Sequence, residues 1–178
     1  MLKMKLNSEI KNYIIELTTG LYKGYQLQLD ELSKKLNLRF FLADFDDKKI
    51  SGVIIKDEKT EFYNIYVNRK DPPNRRRFTF AHEIGHYISF KMNSYSKDEL
   101  IANERFEDYA MSFRHNDVHS KAETEANQIA AEILMPEKMV KDLVKQGLTA
   151  EEMADQFYVS PSAMIIRLQT LYDNLMIT

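Results

Sequence analysis

Two histidines and a glutamate stand at a spacing that suits metal-assisted hydrolysis, in His82-Glu83-Ile84-Gly85-His86. Residues four apart project from the same face of a helix, so the two imidazoles can each offer a nitrogen to one tetrahedral ion. Zinc in such a site polarises a substrate carbonyl and lowers the pKa of a water to about 7, while the glutamate accepts the water's proton. The motif therefore predicts His82 and His86 as metal ligands and Glu83 as the catalytic base.

The alternative for this motif is an amphipathic core helix that carries two surface histidines and a chance glutamate. The neighbouring side chains favour metal binding, because a largely apolar helix would hold two histidines and a carboxylate at a cost. Gly85 weakens the helix and so predicts a closely packed neighbour. The apolar neighbours are Phe78, Phe80, Ala81, Ile84 and Ile88.

A third protein ligand has to come from elsewhere, since Met92 stands where the extended metzincin motif carries its third histidine. The chain has no cysteine, which leaves histidine and carboxylate as metal ligands. Glu123 and Asn127 are four apart on a predicted helix and would face the same side. Glu123 could then bind the ion while Asn127 orients a ligand histidine.

Two alternatives to Glu123 remain as the third ligand. Glu125 points to a different side of the same predicted helix, and His115 and His119 form a second histidine pair in a polar connector. That pair lacks a companion carboxylate and helix-forming surroundings. We rank Glu123 above both, although its ordinary alternative is a solvated acid on a surface helix.

The elements that must position these residues follow from hydrophobic spacing and turn residues. Apolar residues at helical spacing predict two helices in residues 8–36. Short β-rich runs then predict a small antiparallel sheet, and a proline-containing break precedes the helix of the metal motif. The strands are predicted for residues 39–43, 52–55 and 62–67, and the later helices for residues 78–90, 121–134, 136–146, 149–157 and 162–172.

The composition describes a globular chain of 178 residues, 44% hydrophobic and 29% charged. The N-terminus lacks the apolar stretch of a signal peptide, and no later run approaches the roughly 18 apolar residues of a membrane span. The formal net charge of −2 argues against a protein that coats nucleic acid. We therefore expect a cytoplasmic protein with no membrane partner.

Residues 148–168 have the pattern of a helix, a tight turn and a helix, which is typical of a helix-turn-helix unit. The charge argues against direct DNA binding, because Arg167 is the only strong base in residues 149–178. Tyr158 stands where such units commonly carry glycine, which argues against the tight-turn geometry. We expect the tail to have a structural or partner-docking role.

More positive charge is gathered just before the metal motif. We interpret this basic segment as a solvated loop that anchors the metal helix, with nucleic-acid sensing as a minor alternative. Its members are Arg69, Lys70, Arg75, Arg76 and Arg77.

Two blocks of the sequence together resemble the ImmA/IrrE family of metallopeptidases, in their order and in their separation. They are Arg77-Phe78-Thr79-Phe80-Ala81-His82-Glu83-Ile84-Gly85-His86 and Glu123-Thr124-Glu125-Ala126-Asn127-Gln128-Ile129-Ala130-Ala131-Glu132-Ile133-Leu134-Met135-Pro136. The resemblance implies an α+β fold with a zincin-like metallopeptidase domain in residues 1–146. A small antiparallel sheet belongs to that domain, and a helix-turn-helix-like helical subdomain in residues 147–178 packs on it.

The resemblance also implies a site and a task. One zinc ion per chain would be held by His82, His86 and Glu123, with Glu83 as the general base and Asn127 in support. Members of the family cleave a partner repressor of the helix-turn-helix type and so release mobile-element or stress-response genes. The alternative is a zinc-fold protein that binds a partner or DNA to regulate transcription without cleaving, against which the retention of Glu83 argues.

Two features of the substrate cleft are expected as well. In zinc peptidases of similar fold the substrate lies extended along an edge strand before the metal helix, and residues 62–68 occupy that place here. A hydrogen-bond donor for the developing oxyanion is also needed. The candidates, among which the sequence does not choose, are Tyr63, Tyr66, Tyr87 and His115.

Overall fold

The computed structural model describes residues 6–47, 49–92 and 117–173. The first helix, α1 (Ser8–Thr18), is capped by Asn7, whose side chain accepts a hydrogen bond from the Glu9 amide at 2.8 Å. A short hairpin of β1 (Tyr22–Lys23) and β2 (Gln26–Leu27) follows. The second helix, α2 (Leu29–Leu36), ends at Asn37 in the left-handed conformation. The two predicted N-terminal helices are thus confirmed.

The sheet has the strand order β3–β5–β4, with β3 at Leu38–Ala43, β4 at Gly52–Lys56 and β5 at Tyr63–Asn68. The β4–β5 pair is antiparallel, as predicted, whereas β3 runs parallel to β5. A short connection joins β4 to β5, so these two strands pair as neighbours. Strand β3 pairs with the opposite side of β5. The prediction of a purely antiparallel sheet is therefore wrong for one of its two pairs.

The prediction that residues 62–68 form an edge strand is also wrong, because β5 lies in the middle of the sheet. Its apolar residues Ile65 and Val67 are completely buried, which suits a strand with a partner on each side. The edges of this sheet are β3 and β4. Any substrate that pairs with the sheet would have to use one of these two strands.

The helix α3 (Pro73–Lys91) carries the metal motif and begins five residues earlier than predicted. Proline at the first helical positions explains the early start, since its missing N–H has no partner there in any helix. A second long helix, α4 (Asp117–Leu134), packs along α3. It is followed by α5 (Glu137–Lys145) after the predicted stop at Met135 and Pro136.

The tail consists of α6 (Ala150–Phe157) and α7 (Pro161–Asp173). Thr149 and Glu152 form a reciprocal capping box at the start of α6. Tyr158 adopts the left-handed conformation (φ 56°) between the helices, so the tight turn forms although the residue is not glycine. The argument from Tyr158 against this turn is therefore wrong.

One hydrophobic core unites these elements. It includes Ile14 of α1, Ile65 of β5, Ile88 of α3 and Phe157 of α6. The α+β class with a helical tail is thus confirmed. Of the helices that the structure describes, none combines the length and the apolar character that a membrane span requires.

Candidate metal centre

Two packed helices supply the candidate site. The buried part of α3 is residues 79–89, including Ala81, Ile84 and Ile88, and His82 and His86 emerge from it where α3 faces α4. From α4, Glu123 and Asn127 face the same interface, one turn apart. The local helical spacing explains each pair, and the packing of α3 on α4 brings the two pairs together.

The three predicted ligands converge on one point. The Nε2 atoms of His82 and His86 lie 3.0 Å apart. Glu123 Oε2 lies 3.3 Å from His82 Nε2, and Glu123 Oε1 lies 3.1 Å from His86 Nε2. A tetrahedral ion with ligands at about 2.0–2.1 Å has ligand–ligand edges of about 3.3 Å. Each separation in this triangle of His82, His86 and Glu123 is therefore close to an edge of a zinc coordination tetrahedron, so the residues fit the ion.

Asn127 holds one of these histidines in a fixed orientation. Its Oδ1 lies 3.0 Å from His82 Nδ1, so His82 donates its Nδ1–H to this amide oxygen. When His82 is neutral, its lone pair therefore lies on Nε2, the atom that faces His86 and Glu123. When His82 is protonated, the same Nε2 donates a hydrogen bond to Glu123. The bond to Asn127 is the outer hydrogen bond that metal-binding histidines usually make.

The electrostatics of the triangle couple its members. Burial raises the pKa of Glu123, but hydrogen bonds from His82 and His86 outweigh burial and hold that pKa well below its usual range. For His82, burial by itself would lower the pKa. The hydrogen bond to Glu123 and the charge of nearby Glu83 outweigh burial, so the pKa of His82 is raised. The arrangement is built around an ionised carboxylate that attracts positive charge.

Glu83 lies beside this triangle rather than in it. Its side chain is only 7% exposed, and burial raises its pKa. The edge strand β4 approaches it at Gly52, where an added Cβ would come 3.3 Å from Glu83 Oε1 and 2.4 Å from Thr79 Cγ2. Sequence reasoning missed Gly52, although a lone glycine in a strand signals a close neighbour.

The alternative ligands are placed differently. Glu125 accepts a hydrogen bond from Ser89 Oγ at 2.7 Å, away from the triangle, which agrees with its lower rank. His115 lies outside the described residues, and the side chain of His119 does too. Among described residues, the three that could hold a metal ion together are His82, His86 and Glu123.

The tyrosines proposed for the oxyanion make contacts elsewhere. Tyr87 donates its hydroxyl to the Leu36 carbonyl oxygen at 3.1 Å, and Tyr63 packs edge-on against Tyr87. Tyr66 stacks on Phe41 of β3. These contacts favour structural roles for the three tyrosines.

Comparisons with known proteins agree with this picture. A family model described as IrrE N-terminal-like domain matches residues 33–169. The radiation response metalloprotease IrrE of Deinococcus radiodurans is 32% identical over 108 residues, which cover 58% of this chain and 30% of that protein. A solved transcriptional regulator of Mycobacterium tuberculosis has a similar fold, with a TM-score of 0.63 and 15% identity over 92% of this chain and 47% of the other.

The fold and the His-Glu-x-x-His helix with its separate glutamate define a domain of the metallopeptidase class. Within that class, the extent of the family match shows that the chain belongs to the ImmA/IrrE family. The chain spans less than half the length of either relative, so the activities of the whole relatives are not carried over with the fold.

Proposed function

We propose that this protein is a zinc-dependent, site-specific endopeptidase that cleaves a helix-turn-helix repressor in the cytoplasm. The observation that carries the proposal is the convergence of His82, His86 and Glu123 within a triangle of zinc-site dimensions. Buried Glu83 at its side supplies the group that separates a hydrolase from a purely structural metal site.

In this proposal His82, His86 and Glu123 hold one zinc ion, and Asn127 keeps His82 in the ligating tautomer. The ion supplies Lewis acidity toward the peptide carbonyl and toward a water molecule. Glu83 accepts the proton of the attacking water and returns it to the leaving amine nitrogen. The buried surroundings of Glu83 keep bulk water from competing for that proton.

The edge strand β4 offers the place for the substrate backbone. Its pairing with β5 leaves the other edge of β4 without a strand partner among the described residues. Gly52 of β4 lies next to Glu83, so a peptide added along β4 would run past the proposed base. A side chain at position 52 would collide with Thr79 and press on Glu83, so glycine lets β4 lie this close to the base.

The choice of a repressor as substrate rests on family membership and on the name of the relative, which is a radiation response metalloprotease. Release of stress-response or mobile-element genes would follow from the cut.

A second candidate function is regulation of transcription by binding without cleavage, which the helix-turn-helix geometry of α6, Tyr158 and α7 favours. Its weakness is Arg167, because this base is only 6% exposed and pairs with buried Glu132, where it cannot meet a phosphate.

The test is a cleavage assay of the purified protein with the repressor encoded nearest to its gene. Wild type is compared with Glu83→Gln, Glu123→Ala and a chelator-treated sample. Glu125→Ala is the matched control. It removes an acid from the same helix, but this acid accepts a hydrogen bond from Ser89 and does not face the candidate metal ligands. One defined cut that is lost in every sample but wild type and Glu125→Ala supports the proposal. A stable, uncut complex with zinc bound supports the second candidate.

A further inference from the structure

The edge of the sheet opposite β4 has a surface that the proposed chemistry does not use. Here β3 has a partner strand on one side, and no described strand pairs with its other side. Three consecutive residues of β3 are unusually exposed for their type: Phe40 at 40%, Phe41 at 41% and Leu42 at 38%. Exposed apolar edge strands readily accept another strand.

The backbone of β3 is available for such pairing. Alternate residues of a parallel strand direct their amide and carbonyl groups to opposite sides. The Ala43 carbonyl accepts from the Arg69 amide, on the side of β5, so the backbone groups of Phe40 and Leu42 face outward. The Arg69 side chain bonds the Leu42 carbonyl at 3.3 Å, which places a positive charge at one end of this edge.

A cavity of about 530 Å³ adjoins this edge. Phe40 and Leu42 line it from β3, Arg76 and Arg77 from the first turns of α3, and Tyr158 from the turn of the tail. Phe41 points to the other face of the sheet, where it stacks on Tyr66. A strand added to β3 would therefore present alternate side chains to the cavity and to Phe41.

The charge at the cavity is not balanced. Neither Arg76 nor Arg77 forms an ion pair within the part of the chain that the structure describes. Arg77 is partly buried, donates one bond to the Leu27 carbonyl at 2.8 Å, and leaves its buried Nε without an acceptor. Asp30 also lines the cavity and is exposed. A partly buried guanidinium without a carboxylate is stabilised by an anion that reaches it.

We propose that the outer edge of β3 and the adjoining cavity bind an extended acidic peptide of a partner protein, with acidic side chains toward Arg76 and Arg77 and apolar side chains toward Phe41. The peptide adds a strand to the sheet through the backbone of Phe40 and the amide of Leu42, whose carbonyl already accepts a hydrogen bond from Arg69. This surface lies across the sheet from Gly52 and Glu83. This proposal rests on the proposed function only in taking the partner to be the repressor. The surface would bind a segment of the repressor away from the scissile bond.

The test uses a fluorescein-labelled peptide of alternating valine and glutamate, and a matched peptide of valine and lysine, in fluorescence polarisation. The Glu83→Gln protein is measured beside wild type. We expect both proteins to bind the glutamate peptide equally and at least about tenfold more tightly than the lysine peptide. Equal binding by Glu83→Gln would show that peptide binding at β3 does not depend on the peptidase chemistry. A failure of the proposed peptide site and a failure of the proposed peptidase function can then be told apart.

Two variants test the surface independently. Arg76→Glu reverses a charge at the cavity, and Leu42→Pro removes an outward amide while leaving the pairs with β5 intact. We expect each to weaken binding of the glutamate peptide by about tenfold or more. Ile166→Asp, at a 62% exposed position on α7, is the control and should bind as wild type does. Circular dichroism establishes that each variant is folded.

Three results would overturn the proposal. The first is equal affinity for the two peptides, or no binding of either below about 1 mM. The second is binding that Arg76→Glu leaves unchanged. The third is a wild-type dimer in sedimentation that Leu42→Pro converts to a monomer, which would assign the edge to a second copy of this chain.

Discussion

Gly85 of α3 lies directly against the backbone of Ala126 of α4. A Cβ atom added to Gly85 would come within 2.6 Å of the Ala126 carbonyl oxygen and 3.0 Å of its Cα atom. Backbone atoms cannot move aside as the end of a side chain can, so only glycine permits this approach. The close neighbour predicted from the sequence is thus confirmed, and it sits beside the turns that carry His86 and Glu123.

Replacement of Gly85 by alanine should push α3 and α4 apart. We expect Gly85→Ala to lower the free energy of unfolding by about 1–3 kcal/mol, the usual cost of overpacking, and to weaken zinc binding by moving His86 away from Glu123. Urea denaturation and competition with a chromophoric chelator measure the two effects. Gly147→Ala is the control: its φ of 80° strains alanine far from the site, so stability should fall while zinc affinity stays unchanged. Wild-type zinc affinity in Gly85→Ala would contradict the argument.

The hydrogen bond from His82 to Asn127 should matter for metal affinity more than for folding. We expect Asn127→Ala to weaken zinc binding by about 10–100-fold, because His82 loses the acceptor that fixes its tautomer. Asn127→Asp keeps an acceptor at the same place and should recover most of the affinity. Chelator competition at constant pH compares the three proteins. If alanine and aspartate behave alike, Asn127 does not act through His82.

The ion pair between Lys11 of α1 and Glu137 of α5 predicts that stability depends on pH in the acidic range. Hydrogen bonds from Lys11 and from Lys141, the latter at 2.6 Å, lower the pKa of Glu137 from 4.5 to about 2. A depressed carboxyl pKa contributes stability that is complete above the unfolded value and is lost as the pH falls through the folded value.

The corresponding variant is Glu137→Gln, which should be less stable than wild type at pH 7. We expect the difference in unfolding free energy to shrink between about pH 4.5 and pH 2, as the wild-type carboxylate is protonated. Urea denaturation across that range measures it, with Glu151→Gln on the exposed side of α6 as the control. A difference that does not change with pH would show that Glu137 contributes by packing alone.

The buried pair of Arg167 and Glu132 should hold the tail to α4. Arg167 also donates its Nε–H to the Met135 carbonyl at 3.0 Å. We expect Arg167→Met to cost about 3–5 kcal/mol of stability, because Glu132 is left buried and ionised. The double variant Arg167→Met, Glu132→Met should regain part of this loss. Chemical denaturation of wild type, Arg167→Met, Glu132→Met and the double variant completes the cycle. Losses of stability that simply add would count against a coupled pair.

Sequence reasoning succeeded where the relation between residues is local. A spacing of four on a helix is enough to align His82 with His86 and Glu123 with Asn127. The sequence itself cannot show that the two pairs meet, since that depends on how α3 packs on α4. Here the resemblance to a family supplied what spacing could not.

The sheet shows the opposite case. Three short strands joined by polar turns look alike in sequence whether the first lies beside the second or beside the third. The parallel pairing of β3 with β5 depends on contacts between residues far apart in the sequence. Because of this pairing, β5 is the central strand. The prediction at Tyr158 failed for a related reason, because the fold of the tail imposes on tyrosine a backbone conformation that its side chain disfavours.

The placement of the three candidate ligands on two helices has a consequence for the chain as a polymer. His86 and Glu123 are neighbours in space but are separated in sequence by the whole segment 87–122. An ion that binds both would act as a clip that closes this long loop, and long loops are where such clips restrict the chain most. The proposed ligands of the catalytic ion would then also hold α3 and α4 together. Removal of the ion by a chelator would therefore lower the stability of the protein as well as abolish its activity.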